Sequence, residues 1–413
     1  MLTTVRKHGS AHKFPASVVG VAHESDLALL EVSDDSFWED LAAIPLGAKE
    51  YLPQLHQPIS VVGYPSGGDN ISITQGVVSR IEYVRYSHSG LTNLAVQVDG
   101  AINSGNSGGP VLDQDANLVG VTFQNLMDAE NIGYVIPVPV IHHFLDSLSR
   151  PEPRGACHLG ITLQGLENPG MCNALGVKAG MVVIQIDPLS PAQGVLQVGD
   201  IITEIGGEPL ASDGTIKFRN RERISFKYAM LHKHHGDKLS LKIKRNGRDM
   251  IVEPVVHHAF RDNLCKQFEY DCKARYLVWS GIVFQPLSTF YFLEYGDDWY
   301  NTAPRKLITA AFDRQKQFED EELVFISDVL AADVNRGLEG YAHHLVEKIN
   351  GIPVRNLGHL HHELEAAKQS QEKWIRLDLS QGQFIIMDNH EAIAKEQEIL
   401  QRHMVPQNRS EEL

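Results

Sequence analysis

Short runs of hydrophobic residues, separated by Gly, Asn, Asp and Pro, dominate the first third of the chain. Four of these runs lie at residues 16–22, 27–32, 59–64 and 117–123. Each run has a length typical of a strand, and few stretches show the period of an amphipathic helix. The pattern over residues 1–137 therefore predicts an all-β sandwich or barrel.

A different pattern begins at residue 138, because hydrophobic side chains recur at helical spacing over residues 138–148. Pro139 suits the first turn of a helix, where its missing N–H needs no partner. We therefore expect one helix to close a first domain at residues 1–150. Residues 149–155 combine Pro, Arg, Ser and Gly, which is typical of a linker.

The remainder of the chain contains a weak internal repeat. Residues 159–166 resemble residues 280–287, and residues 205–210 resemble residues 349–354. The second copy is about 23 residues longer between these two matches. We place this insertion in the polar segment at residues 295–322.

Two copies of one strand-rich module fit the remaining length. The repeat predicts one module at residues 155–256 and a second, more divergent one at residues 273–400. The last ten residues, 404–413, are polar, and we expect them to be frayed.

Composition and charge exclude several classes of protein. The chain has 37 Lys and Arg residues and 52 Asp and Glu residues, so its net charge is −15. This charge opposes broad binding to nucleic acid or to anionic membranes. No hydrophobic stretch reaches the ~18 residues that a membrane-spanning helix needs. The four cysteines of this 413-residue chain form no CxxC motif and are too few for a disulfide framework.

Two histidine-rich segments, at residues 232–235 and 359–363, superficially resemble metal sites. Neither has the HExxH spacing that places two imidazoles on one helix face. We therefore expect both segments to be solvated polar surface. The sequence predicts no metal site and no cofactor.

The most informative motif is Gly-Asn-Ser-Gly-Gly-Pro at residues 105–110. A nucleophilic serine needs an exposed hydroxyl and backbone N–H groups directed at the developing oxyanion. Glycines on both sides let the backbone turn tightly and approach a substrate carbonyl. Glycine content alone would equally fit an ordinary β-turn, so the interpretation depends on the surrounding sequence.

That surrounding sequence resembles the trypsin-like serine proteases of the Deg/HtrA family. The likeness continues into a PDZ-like segment and then into a pattern similar to the plant-type members, which carry one PDZ domain and a degenerate second one. The matching segments are residues 61–68, 74–79, 98–112, 132–137, 199–207 and 213–224. The resemblance implies a mainly β chain, with a trypsin-like double β-barrel followed by two PDZ-like α+β domains.

The resemblance also implies roles for individual residues. Ser107 would be the nucleophile, and the N–H groups of Gly105 and Ser107 would form the oxyanion hole. Asp26, in the sequence Ser-Asp-Leu-Ala-Leu-Leu, stands where the family has its triad aspartate. The alternative for Asp26 is a turn residue that leads into a strand.

The triad histidine has no clear counterpart. In the family it precedes the aspartate by about 30 residues, whereas only 25 residues precede Asp26 here. His8, His12 and His23 all lack the family's surroundings. The first residues resemble the sequence that follows this histidine, so we expect the first barrel to lack its first two strands. Either the sequence is truncated or the chain is a natural pseudoprotease. In both cases we expect the chain as given to be proteolytically inactive, because it lacks the triad histidine.

For the first PDZ-like module, the resemblance implies that a peptide adds as a strand to the sheet edge. His158, Leu159, Gly160 and Ile161 resemble the loop that captures the peptide's terminal carboxylate. Their alternative is a plain strand start. The corresponding Trp279-Ser-Gly-Ile segment departs further from the family pattern, so peptide binding at the second module is doubtful.

Two functions remain open from sequence. The resemblance implies an ATP-independent serine endopeptidase that acts on unfolded or damaged proteins and forms homo-oligomers, trimers or multiples of them. The alternative is a protease-derived PDZ scaffold that binds peptides but cannot cleave them. An α/β-type serine hydrolase is excluded because the pattern does not alternate strands and helices around a GxSxG elbow. Family members occur in organelles, nuclei and the periplasm, so the resemblance does not select a compartment.

Overall fold

The computed structural model describes residues 3–65, 70–102, 105–125, 132–150, 155–258, 264–266, 270, 272–296, 298–370 and 372–413. The chain divides into two compact units. One unit contains Met1–Ile186 and Ser190–Ala259, and the other contains Asp187–Leu189 and Phe260–Leu413.

The first unit begins with an open antiparallel sheet in the order β1-β2-β3. Its strands are β1 (Thr3–Arg6), β2 (Lys13–Ala22) and β3 (Leu27–Glu31), followed by the short helix α1 (Asp35–Trp38). Val18 is 53% exposed, whereas Leu27 and Leu29 are half-buried. Among the described residues this sheet has three strands and does not close, and it leaves part of its hydrophobic face uncovered.

The next six strands close into a barrel in the order β4-β5-β6-β9-β8-β7. They are β4 (Pro58–Gly63), β5 (Ser72–Arg85), β6 (Thr92–Val98), β7 (Pro110–Leu112), β8 (Leu118–Asn125) and β9 (Gly133–Pro137). Val61, Leu94 and Val111 are fully buried inside it. Helix α2 (Val138–Leu148) follows with Pro139 in its first turn, which confirms the predicted helix.

The first PDZ-like module belongs to the same unit and packs against the barrel through one continuous hydrophobic cluster. Its main sheet has the order β11-β12-β13-β17-β18, with β14 paired to β13, while β10 pairs with β19 and β15 with β16. The elements are β10 (Cys157–His158), β11 (Ile161–Gly165), α3 (Pro169–Leu175), β12 (Met181–Ile186), β13 (Ile201–Ile205), β14 (Glu208–Pro209), β15 (Thr215–Arg219), β16 (Glu222–Ser225), β17 (Leu241–Arg245), β18 (Arg248–Val252) and β19 (His257–His258).

The second unit holds two sheets, in the orders β20-β21-β22 and β24-β23-β25-β26. Its strands are β20 (Leu277–Trp279), β21 (Ile282–Pro286), β22 (Val324–Val329), β23 (Val346–Ile349), β24 (Ile352–Pro353), β25 (Trp374–Leu379) and β26 (Phe384–Asp388). Its helices are α4 (Thr289–Leu293), α5 (Trp299–Thr302), α6 (Arg305–Asp313), α7 (Leu357–Ser370) and α8 (Asn389–Arg402). Helices α5 and α6 occupy part of the segment where the sequence placed the insertion.

The C-terminal segment is ordered by backbone pairing, so the expectation of a frayed tail was wrong. The Val278 N–H donates to the Asn408 carbonyl oxygen at 2.6 Å, and the Ser410 N–H donates to the Tyr276 carbonyl oxygen at 3.0 Å. Strand β20 offers unpaired backbone groups along its outer edge, and a polar tail satisfies them as well as a hydrophobic one would.

Candidate active site

The loop between β6 and β7 presents Ser107 at the surface of the closed barrel. Gly105 and Gly108 have φ values of 101° and 85°, which residues with a Cβ atom rarely adopt. Between them Asn106 is buried, whereas Ser107 is exposed. The Ser107 hydroxyl donates to the Phe123 carbonyl oxygen at 3.3 Å. The glycine pattern thus produces the exposed serine that a nucleophile requires.

Strand β8 fixes the shape of this loop. The Gly108 N–H donates to the Thr122 carbonyl oxygen at 2.8 Å, and the Thr122 N–H donates to the Gly109 carbonyl oxygen at 3.0 Å. The Thr122 hydroxyl donates to the Asn106 carbonyl oxygen. A Cβ atom on Gly109 would lie 2.0 Å from the Val62 carbonyl oxygen, so this position accepts only glycine.

The backbone N–H groups of Gly105 and Ser107 are the proposed oxyanion-hole donors. Within the part of the chain that the structure describes, neither group donates to a backbone carbonyl. Donors fixed by a rigid loop can stabilise an oxyanion at little reorganisation cost. The loop can therefore supply the nucleophile and these two donors.

Asp26 ends a short 3-10 helix, His23–Ser25, and adopts the left-handed conformation with φ 54° and ψ 42°. Its N–H donates to the His23 carbonyl oxygen at 3.2 Å. Burial raises the pKa of Asp26, while His88 and His23 act in the opposite direction. The carboxyl is thus a half-buried group with two imidazoles nearby, on a turn between β2 and β3.

Two aromatic residues connect the surroundings of Asp26 with those of Ser107. Tyr86 is fully buried, and its hydroxyl donates to the Leu94 carbonyl oxygen at 2.5 Å. Burial raises the pKa of Tyr86, and the nearby charge of Asp26 adds to this shift. The Tyr86 ring lies 4.3 Å from the ring of Phe123, whose carbonyl oxygen accepts the hydrogen bond from Ser107.

Among the described residues, no imidazole forms a hydrogen bond with Ser107. His8 bonds through Nδ1 to the Tyr64 hydroxyl at 2.9 Å, and His12 packs edge-on against Phe14. His23 lies near Asp26 and contacts His88, with 3.1 Å between His23 Nδ1 and His88 Nε2. The sequence analysis missed His88, because it lies 62 residues after Asp26 in a polar turn without a motif.

The predicted peptide-binding loop forms a tight turn before β11. Gly160 has a φ of 60°, and a Cβ atom there would lie 2.7 Å from the side chain of Ser190. The Ser190 hydroxyl donates to the Leu159 carbonyl oxygen at 2.6 Å. His158 lies on β10, and its ring packs 4.6 Å from that of His257.

Strand β11, which starts at Ile161, pairs with β12 and with no second strand among those described. A peptide could therefore add along its outer edge. The equivalent strand of the second module, β21, is paired on both sides, with β20 and with β22. A two-residue turn through Ser280 and Gly281, both at positive φ, folds β20 onto that edge.

The histidine-rich segment at 232–235 is not the solvated surface that the sequence predicted. His234 is buried, and its ring stacks on that of His143 in α2, with 4.3 Å between centroids and 6° between planes. His143 Nε2 donates to the Lys233 carbonyl oxygen at 3.0 Å. His234 is buried, and the other three residues are half-buried, because the first PDZ-like module packs against the helix of the protease domain.

The second histidine-rich segment lies on α7, where His359 contacts Glu363 at 3.4 Å. In the described ranges, no group of three or more His, Cys, Asp or Glu side chains could hold a metal ion. The helices of the same ranges are all too short or too polar to span a membrane.

Three family matches cover most of the chain. Residues 5–121 match the trypsin-like peptidase domain, and residues 157–253 and 265–412 each match a PDZ domain. The fold and the serine loop thus define a trypsin-like protease with two PDZ domains.

Curated relatives then give the family. The chain is 35% identical to putative protease Do-like 3, mitochondrial, of Arabidopsis thaliana, over 99% of this chain and 70% of that protein. It is 36% identical to protease Do-like 2, chloroplastic, of the same plant, over 99% of this chain and 66% of that protein. The chain belongs to the Do-like (Deg/HtrA) family of serine proteases, as the sequence motifs predicted.

Solved structures similar to the chain include one of the HtrA-type protease AlgW with a tripeptide. That match has 26% identity and a TM-score of 0.48, and it covers 60% of this chain and 78% of the AlgW chain. The family assignment rests on the sequence relatives.

Proposed function

We propose that this protein is an ATP-independent serine endopeptidase that acts on unfolded or damaged proteins, with Ser107 as its nucleophile. The observation that carries the proposal is the rigid loop that exposes the Ser107 hydroxyl beside the N–H groups of Gly105 and Ser107. A loop that served only as a turn would not need buried Asn106 and three glycines around one exposed serine.

The proposed reaction needs these groups together with an imidazole base. An imidazole base takes the proton of the Ser107 hydroxyl, and the oxygen attacks a peptide carbonyl. The N–H groups of Gly105 and Ser107 would stabilise the resulting oxyanion. Its collapse breaks the peptide C–N bond, the imidazolium gives its proton to the departing amine, and water then hydrolyses the acyl-enzyme. Asp26 would orient the imidazole and stabilise its charged form. Because no imidazole bonds to Ser107 among the described residues, we expect the 413-residue chain by itself to be inactive or at most to cleave slowly.

Casein degradation by the full chain tests this proposal. We expect slow cleavage that is abolished by Ser107→Ala and unchanged by Ser370→Ala, a matched change at an exposed serine on α7. Cleavage that survives Ser107→Ala would show that another group is the nucleophile.

A second candidate, a peptide-binding scaffold that does not cleave, is favoured by the open edge of β11 and by the absence of an imidazole bonded to Ser107 among the described residues. It predicts that casein binds the full chain and stays intact. We propose for either function that His158, Leu159, Gly160 and Ile161 hold a C-terminal or internal peptide segment.

Peptide binding can be measured on the full chain. A hydrophobic peptide with a free carboxylate should bind with micromolar affinity (about −8 kcal/mol). Amidating its terminus should weaken binding, and so should Gly160→Val, because the new side chain would meet Ser190.

We propose domain limits of 1–150, 155–256 and 273–400. We also propose that the chain forms a homo-oligomer, and light scattering would determine its mass.

A further inference from the structure

The buried carboxyl of Glu24 lies beside the turn that carries Asp26. Glu24 belongs to the 3-10 helix His23–Ser25, directly before that turn, and only 6% of it is exposed. Its Oε1 atom has no hydrogen-bond partner among the described residues. A buried carboxyl oxygen without a partner is costly when the group is ionised.

This carboxyl packs against both ends of the first PDZ-like module. A Cβ atom on Gly155 would lie 2.1 Å from Glu24 Oε1 and 2.5 Å from His258 Nε2, so the three groups are in close contact. Gly155 leads into β10, and His258 lies on β19, whose pairing aligns Cys157 with His258. Glu24 therefore contacts the place where the start and the end of this module come together.

Other polar and titratable groups lie around the turn that carries Glu24. The loop between β5 and β6 contributes Ser89, whose hydroxyl donates to the Glu24 carbonyl oxygen at 3.4 Å, and its neighbour His88. The same turn carries His23 and Asp26. On β10, burial is the main reason that the pKa of the Cys157 thiol rises to about 12, with Asp237 and Glu24 adding to the rise and Arg150 opposing it.

Burial raises the pKa of Glu24 to about 7, partly opposed by a hydrogen bond from its own backbone N–H. The folded state thus favours the protonated, neutral carboxyl. A carboxyl whose pKa is higher in the folded than in the unfolded state stabilises packing at low pH, and this contribution is lost as the pH rises through the folded value. The contact among Glu24, Gly155 and His258 should therefore weaken above about pH 7.

We propose that Glu24 is a positioning residue that ties the turn presenting Asp26 to the paired ends of the first PDZ-like module, and that ionisation of Glu24 loosens both together. Any effect of this link on catalysis rests on the proposed role of Asp26. The structural link itself does not depend on that role.

Amide hydrogen exchange of the full chain, followed by mass spectrometry between about pH 6 and about pH 8.5, tests the proposal. After correction for intrinsic exchange rates, protection of residues 22–27 and 155–158 should fall together with a midpoint near 7. Between those two pH values the expected fall is about tenfold, because the ionised fraction of Glu24 rises from about a tenth at pH 6 to nearly all at pH 8.5 and then changes no further.

Glu24→Gln keeps the shape of the side chain and cannot ionise, so it should make both profiles flat. Glu31→Gln, at an exposed glutamate on β3, should leave the wild-type profile unchanged. A flat wild-type profile would overturn the proposal even if Glu24→Gln failed to fold. A response in only one of the two segments would also overturn it. Because Ser107→Ala should not alter these profiles, failure of the proposed proteolysis remains distinguishable.

Discussion

The two sheets of the protease domain differ in how completely they are built. The barrel that carries the Ser107 loop is closed, and Leu94 inside it has no exposed surface. The sheet β1-β2-β3, which carries Asp26, is open and leaves Val18 largely exposed. The serine is thus held by a complete hydrophobic core. The turn of Asp26 depends more on contacts outside its own sheet, with the β5–β6 loop and with Gly155.

The largest loss of stability should come from Gly109→Ala in the loop of the closed barrel. The new Cβ atom would lie 2.0 Å from the Val62 carbonyl oxygen, and both groups are backbone-fixed. We expect destabilisation of about 3 kcal/mol or more, measured by urea unfolding of the full chain. Gly340→Ala is the control, because a Cβ atom there meets nothing within 4 Å. Equal stability of the two variants would contradict the described geometry.

A pair of hydrophobic truncations compares the two sheets directly. Leu94→Ala removes buried contacts in the closed barrel and should cost about 3 kcal/mol. Val18→Ala removes a side chain that is already exposed and should cost at most about 0.5 kcal/mol. Urea unfolding measures both. Similar losses would mean that the open sheet is covered in solution, for example by another copy of the chain.

A smaller, pH-dependent change in stability should distinguish two contacts with the first PDZ-like module. One is the contact of α2 through His143 and His234, and the other is the contact of Glu24 beside the open sheet. Burial lowers the pKa of His143, and burial together with His143 lowers the pKa of His234 to about 4. The stacked neutral rings therefore stabilise the fold fully above the unfolded pKa of about 6.5, and this contribution is lost as the pH falls toward 4. The Glu24 contact has the opposite dependence.

We expect His234→Phe to reduce the loss of stability between about pH 7 and about pH 5 by about 1 kcal/mol. His12→Phe, at an exposed histidine, should leave that loss unchanged. Identical pH profiles for wild type and His234→Phe would show that the stacked pair does not titrate in this range.

The features that neighbouring residues determine could be predicted from the sequence. The glycines around Ser107 and the helix at residues 138–148 are short patterns in which neighbouring residues determine the backbone. The approach of His88 to Asp26 could not be predicted, because it results from the packing of two loops distant in sequence.

Contacts between segments also explain the predictions that were wrong. Residues 232–235 look like polar surface until the first PDZ-like module packs on α2, and residues 404–413 look frayed until β20 offers them a free edge. Hydrophobic patterning identifies buried faces, but it does not indicate which polar segments a neighbouring element will cover.

Labelling of Ser107 by a fluorophosphonate, located by peptide mapping, tests the central claim most directly. The reaction should be slow in the full chain and faster when free imidazole is added, because the proposed oxyanion donors and the proposed orienting carboxylate of Asp26 lack only a base, and no imidazole among the described residues bonds to the serine. Ser107→Ala should abolish labelling, and Asp26→Asn should reduce the gain from imidazole. Absence of label at Ser107 with or without imidazole, or label at another residue, would contradict the assignment of Ser107 as the nucleophile.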